Sequence, residues 1–224
     1  MLDTPRRGLE DSWLDEAKSR FDASNADLLP ETRSLLEDIV SDAGLHPKLM
    51  NTLSMLEHMG SSKIMATQKG TGINEPSLKH LAEECHHAYF MKRQAEKATE
   101  QSLDYGPDNL LVPLSARMYF LRLEASVVRV LRHQQSLAAT YLYMSMIVEF
   151  RAVWFYSLYQ QVLQRHAHPL SLKRLLGEEQ NHLTSMAENL EHAGELSDVR
   201  VDAFIRTENA LYIRFLDSLQ QSVN

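Results

Sequence analysis

Between Pro113 and Pro169 the chain contains neither proline nor glycine, and this stretch constrains the fold more than any other. Its apolar residues recur at three- and four-residue spacing, as in Met146, Val153 and Tyr156 around Glu149, which is a helical period. A single helix of that length, rising 1.5 Å per residue, would be about 80 Å long, too long for a compact domain. A break is therefore expected in the polar patch His133-Gln134-Gln135-Ser136, leaving a connecting helix near 114–132 and a second helix near 137–166. Elsewhere Gly and Pro number only 8 and 7 in 224 residues, while Leu, Ala, Glu, Met and Gln recur, so the expected fold class is all-α.

The remaining segments place the other helices. Residues 1–30 read as a polar N-terminal arm with a weak amphipathic piece from Leu9 to Phe21. Pro30 opens a short helix that Gly44 closes, and the 47–68 segment carries Leu49, Leu53, Leu56, Gly60 and Ile64 along one side. Helices are expected at 76–99 and 170–193, followed by a covering helix at 198–221, all in one domain spanning 1–224. The most apolar stretch, Tyr141 to Leu158, is interrupted by Glu149 and Arg151, so it reads as a buried bundle helix rather than a membrane span.

One motif occurs twice. Leu81-Ala82-Glu83-Glu84-Cys85-His86-His87 and Leu176-Gly177-Glu178-Glu179-Gln180-Asn181-His182 both read Leu-small-Glu-Glu-x-x-His. A glutamate and a histidine three apart project from one helix face about 60° apart, close enough to share a metal. On the first helix the apolar arc is Leu78, Leu81, Cys85, Ala88, Met91 and Ala95; Glu84 borders it, whereas Glu83 and His86 fall toward solvent. On the second, Glu179 lies within the arc of Leu172, Leu175, Leu176, Leu183 and Met186, beside His182, and Glu178 is marginal. Aligning Leu81 with Leu176 selects the same register, Glu84 with His87 and Glu179 with His182. Glu57 and Glu149, each interrupting an apolar stripe, precede Glu84 and Glu179 by 27 and 30 residues, so each half supplies a lone glutamate and then a Glu-x-x-His.

Four buried carboxylates are costly without counter-charge, and two divalent cations would neutralise them. Hard oxygen donors with two imidazoles suit iron, manganese or a mixed pair better than a closed structural zinc site, which favours cysteine.

The order Glu57, Glu84-x-x-His87, Glu149, Glu179-x-x-His182 resembles the ligand set of the ferritin-like di-iron carboxylate superfamily, over about Leu49 to Leu190. The resemblance implies a four-helix bundle with one long crossover, with extra helices before, within and after it. It implies that Glu84 and Glu179 bridge two metals, that Glu57 and His87 complete one, and that Glu149 and His182 complete the other. It further implies a di-iron oxidase or oxygenase that uses dioxygen, a small organic substrate in an apolar pocket and a separate electron donor. Ferroxidase or iron storage is the alternative, and a non-catalytic helical interaction protein the second. The helix in the crossover and the added helices depart from storage members, and the paired cysteines of a rubredoxin-like domain are absent from the sequence.

A net charge of −7 gives no footprint for nucleic acid or an anionic membrane surface, which also counts against a transfer-RNA substrate. One cysteine and a start without an apolar leader point to the cytoplasm. A homodimer is compatible with all of this. Cys85 is expected to be a small buried thiol, His58 and His86 to point away from the site, and Tyr141, Tyr143, Tyr156 and Tyr159 to pack in the core or relay electrons.

Overall fold

The computed structural model describes residues 7–67, 74–131 and 137–223. Among these, eight α-helices and no strand occur: α1 (Arg7–Ser24), α2 (Leu29–Ser41), α3 (Leu45–Thr67), α4 (Glu75–Thr99), α5 (Pro113–Leu131), α6 (Leu137–Arg165), α7 (Lys173–His192) and α8 (Asp198–Val223). The break expected at 133–136 lies outside the described residues; the helices on either side end at Leu131 and begin at Leu137.

Local chemistry sets the helix ends. The Asn74 side chain accepts from Ser77 N at 2.9 Å, satisfying an otherwise unpaired donor, and Pro76 follows within the first turn of α4. After α7, Gly194 takes φ +67, and the Glu195 and Gly194 amides bond back to the Leu190 and Glu191 carbonyls at 2.9 and 2.8 Å.

Two helical hairpins form the body: α3 packs along α4, and α6 along α7. They meet through α3–α6 and α4–α7 contacts, while α5 lies against α8, α6 and α3. Asn51 Nδ2 pins the loop after α4 by donating to the Asp104 and Asn109 carbonyls at 2.9 Å each. Along α6 the core divides. Tyr143, Met146, Ile147 and Phe150 join one apolar cluster with α1, α7 and α8, whereas Phe155, Leu158 and Tyr159 join another with α2, α3 and α5. Each fully buried Leu or Phe in these clusters stabilises the fold by about 1.5–3 kcal/mol. Glu149 lies within the first of these stretches, beside Val148, which packs against both clusters.

The N-terminal arm is more regular than its sequence suggests. Residues 7–24 are helical, with Ala17 and Phe21 buried, and Phe21 stacks on Phe150 at 5.5 Å. Trp13 and Arg20 bond Asp198, and Arg20 also bonds Asp202, tying α1 to α8. Tertiary contacts thus complete a helix whose own apolar stripe is weak. Below it Arg151 donates to both Glu208 oxygens at 2.8 and 2.7 Å and to Asn25 and Asn209, joining α6, α8 and the end of α1. No helix among the described residues is long and apolar enough to cross a membrane.

Candidate metal centre

The hairpins bring two sets of side chains together, each set having ligand atoms within 4.8 Å of one another. One is Glu57, Glu84, His87 and Glu179; the other is His80, Glu84, Glu149 and His182. All six residues singled out in the sequence fall in these sets, and His80 joins them. Glu84, His87, Glu149, Glu179, His182 and His80 are buried, and Glu57 is partly buried. Glu84 belongs to both sets. Glu179 also reaches both histidines, with Oε1 at 3.1 Å from His87 Nδ1 and Oε2 at 2.9 Å from His182 Nδ1.

The imidazoles are held from behind. His87 Nε2 lies 2.9 Å from Glu178 Oε2, His182 Nε2 lies 3.0 Å from Glu83 Oε2, and His80 Nδ1 lies 2.7 Å from the Tyr141 hydroxyl. In each ring the other nitrogen faces the cluster. Two of these inward atoms, His80 Nε2 and His87 Nδ1, together with Glu84 Oε1, are buried without a hydrogen-bond partner. Buried polar atoms rarely go unpaired, because desolvation then goes uncompensated. Rings fixed by an outer partner, with inner nitrogens that face only carboxylates (His80 Nε2 at 3.4 Å from Glu84 and Glu149, His87 Nδ1 at 3.1 Å from Glu179), are arranged as metal ligands usually are. The buried His/Glu groups, four carboxylates and three imidazoles without a thiolate, could therefore hold metal ions.

Electrostatics agree with that fit. Burial opposes charging each ring, but the carboxylates outweigh it. Glu149 and Glu84 push His80 up to about 9, Glu179, Glu57 and Glu84 push His87 up to about 10, and Glu149 and Glu179 push His182 up to about 12. Burial, with Glu84 and Glu179 nearby, raises Glu57 well above the usual carboxylate range; burial, Glu149 and Glu84 raise Glu179 to about 7. Burial would raise Glu149 too, yet His182 and His80 hold it well below that range. Protonated rings here stand in for cationic charge.

No family model, no curated protein and no solved structure matches this chain. The site must be read from its own residues.

Several expectations need correction. Cys85 is exposed, and Leu78, expected inward, is 48 % exposed. The buried stripe of α4 is instead His80, Glu84, His87, Ala88, Met91 and Ala95, at helical spacing. The register drawn from apolar residues fails in the first turns of α4 because the centre it faces there is polar. Glu83 and Glu178, assigned to solvent and to the margin, each hold the histidine of the opposite copy. Each is in turn paired with a cation one turn earlier, Lys79 at 3.5 Å and Arg174 at 2.9 Å. The doubled glutamate of the motif thus has a reason: the second faces the centre and the first braces the other helix's ring. His80 was missed, although it lies one turn before Glu84 on the same stripe. His58 and His86 are exposed, as expected.

The tyrosines separate in role. Tyr156 donates to Glu57 Oε1 and Tyr141 faces His80, whereas Tyr143 donates to the Glu195 carbonyl and Tyr159 pairs with His46, both at 2.5 Å and away from the cluster.

Proposed function

We propose that the chain is a ferritin-like di-metal oxidase or oxygenase, with iron as the first candidate metal, dioxygen as oxidant and a small organic molecule as substrate. Glu57, Glu84, His87 and Glu179 would hold one cation, and His80, Glu84, Glu149 and His182 the other. The observation that carries the reading is the group of unpartnered inward atoms, His80 Nε2, Glu84 Oε1 and His87 Nδ1, on side chains braced from behind. The order of helices supports it too: each hairpin delivers a lone glutamate and then a Glu-x-x-His, with α5 in the crossover.

Bound there, two redox-active cations would supply electrons and open coordination positions for activating dioxygen. The protein's own part is positional. Glu84, shared by both sets, and Glu179, which reaches both His87 and His182, would help hold the two cations. Glu83, Glu178 and Tyr141 fix ring orientation and tautomer. Tyr156 orients Glu57 through its hydroxyl and holds a proton at the carboxylate edge, where burial and Glu57 keep the phenol well above its ordinary range. Phe155, Phe120 and Leu53 flank that edge with apolar surface, which restricts water.

Anaerobic loading with ferrous iron, metal analysis and then exposure to dioxygen test the reading. The expected result is about two metals per chain and an oxidised di-metal absorption band that decays with oxidation of added organic compounds. Uptake below about one metal per chain would overturn it in favour of an interaction protein, and conversion to mineralised ferric oxide alone would establish iron storage instead.

A further inference from the structure

A cleft of about 440 Å³ lies where α1 and α2 meet α6 and α7, and it shares no residue with the two His/Glu sets. Much of its wall is apolar, with Phe21, Leu29, Phe150, Trp154 and Leu183 among the lining side chains. Ala26 and Ser157, the smallest side chains in the lining, leave room there. The polar groups that complete the wall are unevenly matched in charge.

Lys18 and Asp22, one turn apart on α1, interact: burial raises the Asp22 carboxyl above its ordinary value, and Lys18 opposes the rise. Arg33 on α2 has no such partner. Its Nε is buried without a hydrogen bond, it makes no ion pair among the described residues, and Glu37, one turn on, pairs with Arg165 at 2.9 Å. Asp22 is the one carboxylate in the lining, so two cations face a single acid and one positive charge is left over, in a chain whose net charge is −7. A buried donor left unpaired is costly, and more so when it is charged. Gln161 and Gln180, both exposed, add amide donors at the rim.

We infer that this cleft binds an amphiphilic monocarboxylate, with the carboxylate on Arg33 and the apolar chain along Phe21, Leu29 and Trp154. A guanidinium matches a carboxylate in charge and in the geometry of its two oxygens. A phosphate monoester brings about −1.5 to −2 charges at neutral pH, more than one surplus cation balances. An ammonium would be repelled by the guanidinium, and an alcohol would leave its charge uncompensated. Size sets the chain length. A cavity of about 150 Å³ takes benzene, so this space holds roughly fifteen heavy atoms, or a chain of about ten to twelve carbons. Seated there, the ligand touches all four helices and ties the N-terminal arm to the α6–α7 hairpin, apart from the metal centre.

The test uses the full chain carrying Trp13→Phe, which leaves Trp154, in the cleft wall, as its one tryptophan. Decanoate is the probe, with 1-decanol, decylammonium and decyl phosphate as counterparts, read by tryptophan emission and by the circular dichroism melt. Decanoate is expected to change the emission saturably and to raise the melting temperature, and each counterpart to bind at least tenfold more weakly. Arg33→Gln, which removes the charge, and Ser157→Phe, which fills the cleft, should each weaken decanoate at least tenfold without lowering the ligand-free melt. Lys97→Gln, on α4, should leave the affinity as it was. Failure of decanoate to saturate, binding of any counterpart within tenfold of it, or an unchanged affinity in Arg33→Gln or in Ser157→Phe would overturn the assignment.

Discussion

Loading the metal-free protein with two divalent cations should release about three imidazole protons per chain near pH 7.5. The number follows from the site's charges. The carboxylates hold His80 at about 9, His87 at about 10 and His182 at about 12, so all three rings are protonated at that pH. Burial, with Glu84 and Glu179 nearby, also raises Glu57 well above the usual carboxylate range. Metal binding needs neutral imidazole and free carboxylate, so each of these protons must leave. Every pH unit by which a group lies above the solution pH weakens metal binding by about 1.4 kcal/mol.

The sign and window are fixed by those values. The overall two-metal constant should rise about a thousandfold per pH unit from pH 7 to about 8.5, then less steeply above about 9 as His80 loses its proton unaided. Calorimetry in two buffers of different ionisation enthalpy, or a pH indicator in weak buffer, counts the protons. His80→Ala should lower the count by about one. Release of fewer than about one proton per chain would refute the reasoning: either the rings are neutral without metal or the cations bind elsewhere.

Other consequences are open to direct measurement. In the metal-free protein the raised imidazole values stabilise the fold fully below the unfolded histidine value near 6.5 and are lost as pH rises through about 9 and above. The melting temperature should therefore fall between pH 8 and 10.5 without metal and stay nearly flat in that window with it; a flat metal-free profile would contradict the assignment. Glu83→Gln and Glu178→Gln should each weaken metal binding about 10- to 100-fold in a cobalt titration with little change in the metal-free melt, because each braces a ring without facing the centre. Glu208→Ala should cost about 3–5 kcal/mol in urea unfolding by leaving Arg151 charged and buried, and Arg151→Met with Glu208→Leu should recover most of the loss.

The helices were legible because nothing in the chain competes with a helical period, and Asn74, Pro76 and Gly194 mark their ends. The site was legible only as far as its symmetry. Superposing the two motif copies brings out Lys79 with Arg174, Glu83 with Glu178, Glu84 with Glu179 and His87 with His182, and in the structure the pairs play matching parts. The same superposition sets His80 against Leu175, an apolar core residue, so a duplication argument discards the one ligand candidate that breaks the pattern. Apolar periodicity could not restore it, since inwardness was judged from Leu78, Leu81 and Cys85 on a helix whose buried stripe begins with a histidine.

That asymmetry has a chemical consequence. The set with His80, Glu84, Glu149 and His182 offers two nitrogens, whereas Glu57, Glu84, His87 and Glu179 offer one. Later first-row cations favour nitrogen donors more strongly than manganese does, so the two positions should differ most for cobalt and least for manganese. Anaerobic cobalt titration followed by visible absorption should therefore show two phases, the tighter one filling the nitrogen-rich position. His80→Ala should weaken that phase until the two merge, and manganese should show little separation from the outset. A single cobalt phase, or two phases indifferent to His80→Ala, would mean that His80 only packs against His182, with ring centres 4.2 Å apart, and that the centre is as symmetric as the repeated motif implies.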